Sequence, residues 1–199
     1  ANGYTLDEVI APLQAELDGI DWAPGYSYTF KGDLENRNES FGGMGIASLM
    51  ALLLILGVLV VQFRSFSQPL IIFSALPLAI IGSILALLIT DIPFSFTAFV
   101  GLTSLIGIAI NNSIVLVDFA NRMREEGASV REAAQQAGEV RLIPIVMTTL
   151  TTILGLLPLT LNGGSLWAPM GWTIIGGLLT STTFVLLLVP ILYQLFTRE

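Results

Sequence analysis

Five long apolar stretches, separated by short polar turns, make up the chain from about residue 44 onward. Each is close to the roughly 20 residues that an α-helix needs to cross the hydrocarbon core of a bilayer. The pattern therefore predicts a mainly α fold, a polytopic transmembrane helix bundle of five spans. The predicted spans are at about 44–63, 70–89, 94–119, 142–161 and 170–193.

Residues 1–40 are polar and typical of part of a soluble domain, so we divide the chain into 1–40 and 41–199. Thr5 and Glu8 have the spacing of a capping box at the start of a helix. An apolar stripe at helical spacing follows, at Leu6, Val9, Leu13 and Leu17. Aromatic and polar residues alternate over 26–30, which predicts a half-buried strand. One helix and one strand bury too little to fold alone, so we expect a small α+β extracytoplasmic stub that needs partners elsewhere.

The connections between the spans are predicted from polar residues, Gly and Pro. Tight turns are expected at 64–69, 90–93 and 162–165. Residues 120–141 are predicted to be a charged loop that contains a short helix from Ser129 to Glu139. Pro77 lies inside the second span and frees a backbone carbonyl, which a neighbouring helix or hydroxyl can satisfy in a bundle.

Within residues 41–199, the basic residues fall on one side of a five-span arrangement: Arg64, Arg122, Arg124, Arg131, Arg141 and Arg198. The opposite loops, 90–93 and 162–169, contain no Lys or Arg. The positive-inside rule then puts the arginine loops and the C-terminus in the cytoplasm and the stub outside. Trp167, Trp172 and Tyr193 flank the fifth span as an aromatic belt would.

Composition supports the membrane prediction and excludes several functions. Only 12% of the residues are charged, against about 25% in soluble domains, and the mean hydropathy is +0.81. The chain has neither Cys nor His, so zinc sites, disulfides and histidine acid–base chemistry are excluded. There is no nucleophile–base pair and no phosphate loop, so we expect neither an enzyme nor a cofactor. Nothing is basic enough to predict nucleic-acid binding.

The third span carries polar side chains at membrane depth. Five residues share one helical face: Ser104, Gly107, Asn111, Val115 and Asp118. Asn112 points about 100° away from that face. Adjacent amides in mid-span bring N–H donors that lipid cannot satisfy, which favours a functional role over simple helix packing. For Asp118 we favour an ion pair with Arg122, four residues on, at the end of the helix.

The fourth span holds Thr148, Thr149, Thr151 and Thr152, and then Gly155. Thr148, Thr152 and Gly155 share a face, and small residues let helices approach closely. We therefore expect the threonine face to meet the asparagine face of the third span inside the bundle. Taken singly, each of these threonines is as well explained by packing between helices as by function.

Several motifs resemble the C-terminal membrane block of the resistance-nodulation-division (RND) exporters, in the hydrophobe/amphiphile drug-efflux branch. They occur in order along 41–199 and are Phe63–Phe66 with Pro69, Pro77-Leu78 with Gly82, Gly107–Phe119, Arg141–Leu150, Gly155–Leu159 and Val189-Pro190. The stub resembles the last helix and strand of the family's second porter domain. The chain begins at Ala1 without a signal-peptide pattern, so we expect a piece of a longer protein.

The resemblance implies that the five spans are helices eight to twelve of a twelve-helix pump in a bacterial inner membrane. Such pumps are homotrimers that exchange protons for amphiphilic molecules, including drugs, with a periplasmic adaptor and an outer-membrane channel as partners. Their proton-carrying aspartates lie on helix four, outside this chain. A Lys and a Thr normally complete the relay, and they correspond to Asn111 and Thr148 here. The resemblance thus implies a relay of Asn111, Asn112 and Thr148, with Ser104, Gly107, Asp118 and Thr152 as supporting polar or packing residues.

Asn111 in place of Lys departs from the best-known pattern. An amide donates a hydrogen bond but brings no charge, so we expect the partner aspartates to titrate at a higher pKa than beside a Lys. The heavy-metal branch places an acidic residue near this point and favours Met pairs. The sequence has neither feature, which makes metal export the weaker prediction.

Two other functions stay open at this stage. One is a SecD/SecF-like accessory of protein translocation, which the 141–150 and 155–159 motifs fit less well. The other is a sterol-sensing or purely structural membrane block of the same superfamily. Two large porter domains and an aspartate pair upstream would favour efflux over both.

Overall fold

The computed structural model describes residues 6–20, 22–23, 27–28 and 33–197. The chain divides into two compact units, Ala1–Gly45 and Ile46–Glu199, and each is described by itself.

In the first unit, helix α1 spans Leu6–Asp18, as the apolar stripe predicts. Trp22 donates from Nε1 to the Leu17 carbonyl at 3.0 Å. The Tyr28 hydroxyl donates to the Asp18 carboxylate, and this hydrogen bond is the main cause that raises the pKa of Tyr28.

The β half of the predicted stub is not observed in the described part of the chain. Ser27 and Tyr28 have no regular secondary structure. The other residues of the predicted strand, and Thr5 of the predicted capping box, lie outside the described residues. The boundary at residue 40 stays a prediction.

The five predicted spans are confirmed. They are formed by α2 (Asp33–Phe63), α3 with α4 (Ser67–Phe73 and Ala75–Ile89), α5 (Phe96–Glu125), α6 (Val130–Asn162) and α7 (Gly164–Phe196). The helices of each span are long and apolar enough to cross a membrane. The fold class is therefore mainly α, as the sequence predicts.

The second span is interrupted at Ser74, three residues before Pro77. Pro77 has no N–H to donate to the Phe73 carbonyl, and its ring crowds the preceding turn. The Ser74 amide bonds to the carbonyls of Leu70 and Ile71, and its hydroxyl donates to the Ile71 carbonyl at 2.6 Å. The backbone amide and the hydroxyl of Ser74 thus satisfy carbonyl groups in the last turn of α3.

The predicted loop at 120–141 is wrong, because α5 continues to Glu125 and α6 begins at Val130. The predicted short helix is the first part of α6 rather than a separate element. Ser129 and Glu132 form a capping box that starts the helix, and nothing breaks it before the transmembrane stretch. Helix α7 likewise begins at Gly164, earlier than predicted, where φ of +64° suits glycine.

Helix α7 is central to the second unit and packs against α4, α5 and α6. At its contact with α4, a Cβ on Gly82 would collide with the Thr180 side chain and approach the Gly176 carbonyl. The Ser83 hydroxyl donates across the same contact to the Thr173 carbonyl at 2.8 Å. Small residues therefore let these two backbones approach closely.

Tyr193 does not belong to an aromatic belt, which corrects the sequence prediction. It is only 1% exposed, and its hydroxyl bonds to Asn121 of α5 at 2.7 Å. Trp167 is exposed near the start of α7. A buried Tyr needs a partner for its hydroxyl, and the polar end of α5 supplies one.

Candidate functional site

The predicted polar face of α5 is on the outside of the helix block. Ser104, Gly107 and Asn111 are exposed, and Val115 and Asp118 are half-buried. A regular α-helix keeps residues at these spacings on one side, and α5 is continuous across them. The sequence thus predicts the shared face, and in this chain Ser104, Gly107 and Asn111 on that face remain exposed.

Asn112, about 100° around the helix from Asn111, is turned toward the interior. It is 6% exposed and lies among the buried residues of α5 that include Leu105, Ala109 and Leu116. Within the described chain, neither Asn111 nor Asn112 forms a side-chain hydrogen bond. The two adjacent amides therefore belong to different environments, one packed by this block and one open.

The threonines of α6 divide in the same way. Thr148 is exposed, and its hydroxyl donates to the Ile145 carbonyl of its own helix at 2.9 Å. Thr152 donates to the Thr148 carbonyl at 2.8 Å. Thr149 is buried and shares a 2.8 Å hydrogen bond with Thr182 of α7. Thr149 is thus the packing residue, while Thr148 keeps an outward position.

No hydrogen bond joins the Asn111 face to the Thr148 face within the described residues, and Asn111 and Thr148 are both exposed. A cavity of about 400 Å³ lies beside Asn111 instead, and its lining contains no residue of α6. The lining residues come from α2 and α5: Leu54, Ile55, Val58, Leu59, Gly107, Ile110, Asn111 and Ile114. Asn111 is therefore the one amide in an otherwise apolar groove, open to the outside.

The ion pair predicted between Asp118 and Arg122 is present, with an N–O distance of 2.8 Å. The Arg122 side chain is 65% exposed and that of Asp118 is 34% exposed. Exposed pairs at this spacing on a helix contribute only about 0.3–0.5 kcal/mol. This ion pair therefore contributes little to the stability of the C-terminal end of α5.

Sequence reasoning did not single out Arg141 as a site residue. Its guanidinium lies over the Phe119 ring, 4.9 Å from the ring centroid. Its Nε is buried and has no acceptor among the described residues. The signal was present in the sequence as an arginine at the start of the fourth apolar stretch, where a buried cation is costly unless paired.

A second group that the sequence did not reveal joins three helices near the arginine-rich turns. The amides of Gln68 and Asn121 bond to each other at 3.0 and 2.8 Å, and Tyr193 bonds to Asn121. These residues are distant in sequence, so no spacing rule connects them. In the described residues, no group of three or more Asp or Glu side chains is placed to hold a metal ion.

Comparison with known proteins gives a consistent result. The family model described as the AcrB/AcrD/AcrF family matches residues 1–197. The multidrug resistance protein MdtC of Proteus mirabilis is 39% identical over 98% of the chain, which covers 19% of that protein. The swarming motility protein SwrC of Bacillus subtilis is 38% identical over 96% of the chain, covering 18% of it.

The names of other similar proteins refer to metal resistance or metal efflux. The cobalt-zinc-cadmium resistance protein CzcA of Cupriavidus metallidurans is 36% identical over 99% of the chain, which covers 18% of it. Two crystal forms of a heavy metal efflux pump match 98% of the chain with a TM-score of 0.81, at 26% and 28% identity. The chain covers 20% of each, so it spans about a fifth of the length of the proteins it matches.

Proposed function

Because the chain belongs to the AcrB/AcrD/AcrF family of RND transporters, we propose that it forms part of the membrane domain of a proton-driven efflux transporter. Its five spans correspond in this proposal to helices eight to twelve, and the transported molecules are amphiphilic compounds, including drugs. The family match favours this function over a SecD/SecF-like accessory or a sterol-sensing block. The short share of each relative that the chain covers supports a piece of a longer polypeptide.

The outward position of Asn111 is the observation that carries the proposal. An amide at mid-span that faced lipid would leave its donors unsatisfied, at a cost of about 2 kcal/mol or more. Asn111 is exposed in a cavity that is otherwise apolar. Another part of the full-length protein therefore covers this face and supplies the hydrogen-bond partner. In a proton-coupled transporter the partner is a carboxylate that titrates during the cycle.

The relay residues contribute in different ways. Asn111 donates a hydrogen bond to the carboxylate, and the exposed Thr148 supplies a hydroxyl on the neighbouring helix. Asn112 is the inner amide of the same relay, held within the block. Because no Lys charge is present, the carboxylate has a higher pKa and holds its proton more tightly. Release of the proton then depends on rearrangement of the amides around it.

Arg141 extends this proposal. Its buried Nε lacks a hydrogen-bond acceptor in the described chain, and a buried donor without an acceptor costs about 1–3 kcal/mol. We assign to it a carboxylate or carbonyl partner from the part of the transporter outside this chain. Arg141 then supplies, at one end of the relay, the positive charge that Asn111 does not.

The test is Asn111→Leu in the full-length transporter. Dye efflux driven by a proton gradient should fall by about tenfold or more, because a hydrogen bond to a charged group contributes about 1.5–3 kcal/mol. Asn111→Gln keeps the amide and should retain most of the activity. Unchanged proton-coupled efflux by Asn111→Leu would contradict the relay.

Metal export is the second candidate, favoured by the names of CzcA and of the two heavy metal pump structures. The sequence opposes it, since no acidic residue stands beside Asn111 and the chain has no Met pair. Cells that express the full-length transporter should gain resistance to amphiphilic drugs and not to cobalt, zinc or cadmium. The reverse pattern would establish metal export.

The assembly follows the family in this proposal. The transporter is a homotrimer in the bacterial inner membrane, with a periplasmic adaptor and an outer-membrane channel as partners. Residues 1–40 are the end of a periplasmic porter domain, and the C-terminus is cytoplasmic. The arginine-rich turns on one side of the five spans support this orientation.

A further inference from the structure

A polar cavity of about 650 Å³ lies where the C-terminal ends of α2, α5 and α7 come together. It is separate from the groove beside Asn111 and shares no lining residue with it. Three arginines line it, Arg64, Arg122 and Arg124, together with the carboxylates of Asp118 and Glu125. The charged residues of the lining therefore carry a net charge of +1, at one end of the membrane spans.

The base of the cavity is fixed by hydrogen bonds between three elements. Gln68 of α3 and Asn121 of α5 form a reciprocal amide pair at 3.0 and 2.8 Å. The Tyr193 hydroxyl of α7 donates to the side-chain oxygen Oδ1 of Asn121 at 2.7 Å, and Tyr193 is 1% exposed. These three polar side chains are therefore hydrogen-bonded to one another without using the arginines.

The charges leave Arg64 available to a ligand. Asp118 is neutralised by Arg122 at 2.8 Å, which leaves Glu125 as the other lining carboxylate. Arg64 is exposed and has no carboxylate partner among the described residues. It lies in the turn between α2 and α3 with φ of +49°, a conformation that non-glycine residues adopt infrequently. The turn thus presents an unpaired guanidinium at the cavity.

Apolar side chains stand exposed beside this basic cavity. A second cavity of about 530 Å³ shares Gln68 and Thr197 with the first and is also lined by Leu195 and Phe196. Leu195 is 73% exposed, and Phe66, next to the turn, is 78% exposed. A ligand that bridges both cavities would place a negative group on the arginines and hydrocarbon on these side chains.

We propose that the cavity binds a phosphate group, and that its source is the headgroup of an anionic phospholipid in the adjoining leaflet. Arginine guanidinium groups match phosphate geometry, and basic pockets between membrane helices on the cytoplasmic side hold anionic headgroups. The acyl chains run past Leu195 and Phe196, which a free phosphate does not require. The proposal rests on the orientation proposed above, with this cavity on the cytoplasmic side of a membrane, but does not depend on transport.

The experiment titrates the purified full-length protein, in a neutral detergent, with phosphatidylglycerol or phosphatidylcholine and counts bound lipid by native mass spectrometry. Phosphatidylglycerol should bind more tightly, and Arg64→Gln should weaken it about fivefold, as expected for one arginine at a membrane surface. Arg131→Gln is the matched control, since Arg131 is exposed on α6 and does not line the cavity. It should leave lipid binding unchanged.

A parallel titration with inorganic phosphate separates the two sources. If phosphate binds in an Arg64-dependent way and phosphatidylglycerol does not, the phosphate site stands but the lipid assignment is overturned. Equal effects of Arg64→Gln and Arg131→Gln, or no preference of the unaltered protein for the anionic lipid, overturn the proposal altogether. The unaltered protein gives a second check that needs no variant, because the lipid preference should fall as salt screens the arginines. Dye efflux measured in parallel reports on transport separately.

Discussion

Helix α5 carries polar side chains on two sides, and the two sides differ in what surrounds them. The inner side, with Asn112 and Ser113, faces the helices of this block and is buried. The outer side, with Ser104 and Asn111, is exposed. The amide of Asn111 is one residue from that of Asn112, so a single step along the helix separates a packed environment from an open one.

Several inner hydroxyl groups join neighbouring helices, although the inner amide of Asn112 forms no hydrogen bond within the described chain. Thr149 and Thr182 share a hydrogen bond across α6 and α7, and Ser83 bonds to the Thr173 carbonyl across α4 and α7. The outer groups lack such partners: Thr148 bonds only within its own helix. Polar residues at membrane depth therefore fall into two groups. Those that form no hydrogen bond to another helix of this block are the ones available for proton coupling.

Gly82→Val should show the largest effect, because Gly82 lies at a close contact between α4 and α7. A Cβ there collides with Thr180 and approaches the Gly176 backbone, so overpacking should cost about 2–3 kcal/mol. The measurement is the loss of folded full-length protein on denaturation in detergent micelles. Gly57→Val on α2 is the control, since a Cβ at Gly57 meets nothing within 4 Å. An equal loss of stability in both variants would contradict the prediction that the close α4–α7 contact is what makes Gly82→Val destabilising.

Thr149→Val and Thr148→Val compare an inner hydroxyl with an outer one, and we expect effects of intermediate size. Removing the Thr149 hydroxyl breaks its bond to Thr182 and should cost about 0.6 kcal/mol of stability, with about 1.7 as the upper limit. Thr148→Val should leave stability unchanged but lower proton-driven dye efflux, since we assign its hydroxyl to the relay. Thr151→Val serves as the control for efflux, because Thr151 is exposed and bonds to its own helix at Met147. If Thr148→Val destabilised the protein as much as Thr149→Val, with efflux intact, the comparison would be wrong.

Asp118→Asn should have the smallest effect. It removes an exposed ion pair with Arg122, so we expect about 0.3–0.5 kcal/mol of destabilisation at low salt and less at high salt. The denaturation measurement above, repeated at two salt concentrations, checks both the size and the trend. A large loss that salt does not reduce would show that Asp118 has a buried partner in the full-length protein and belongs with the outer coupling face.

Much of the fold could be predicted from the sequence. Apolar length alone marks the five spans, and helical spacing alone puts Ser104, Gly107 and Asn111 on one face, because both depend only on local helix geometry. The error at 120–141 has the same local origin. Charged residues there indicated a loop, but Ser129 and Glu132 cap a helix that runs on into the membrane stretch.

The sequence by itself determined which residues share a helical face and which stretches cross the membrane. Only the tertiary structure decided that Asn111 is outside and Asn112 inside, and that Thr149 rather than Thr148 packs on α7. It also decided that Tyr193 is buried against Asn121 instead of lying in an aromatic belt. The physical reason is that periodicity fixes directions relative to one helix axis. The rotation of that helix toward its neighbours depends on close contacts between distant residues, such as Gly82 with Thr180.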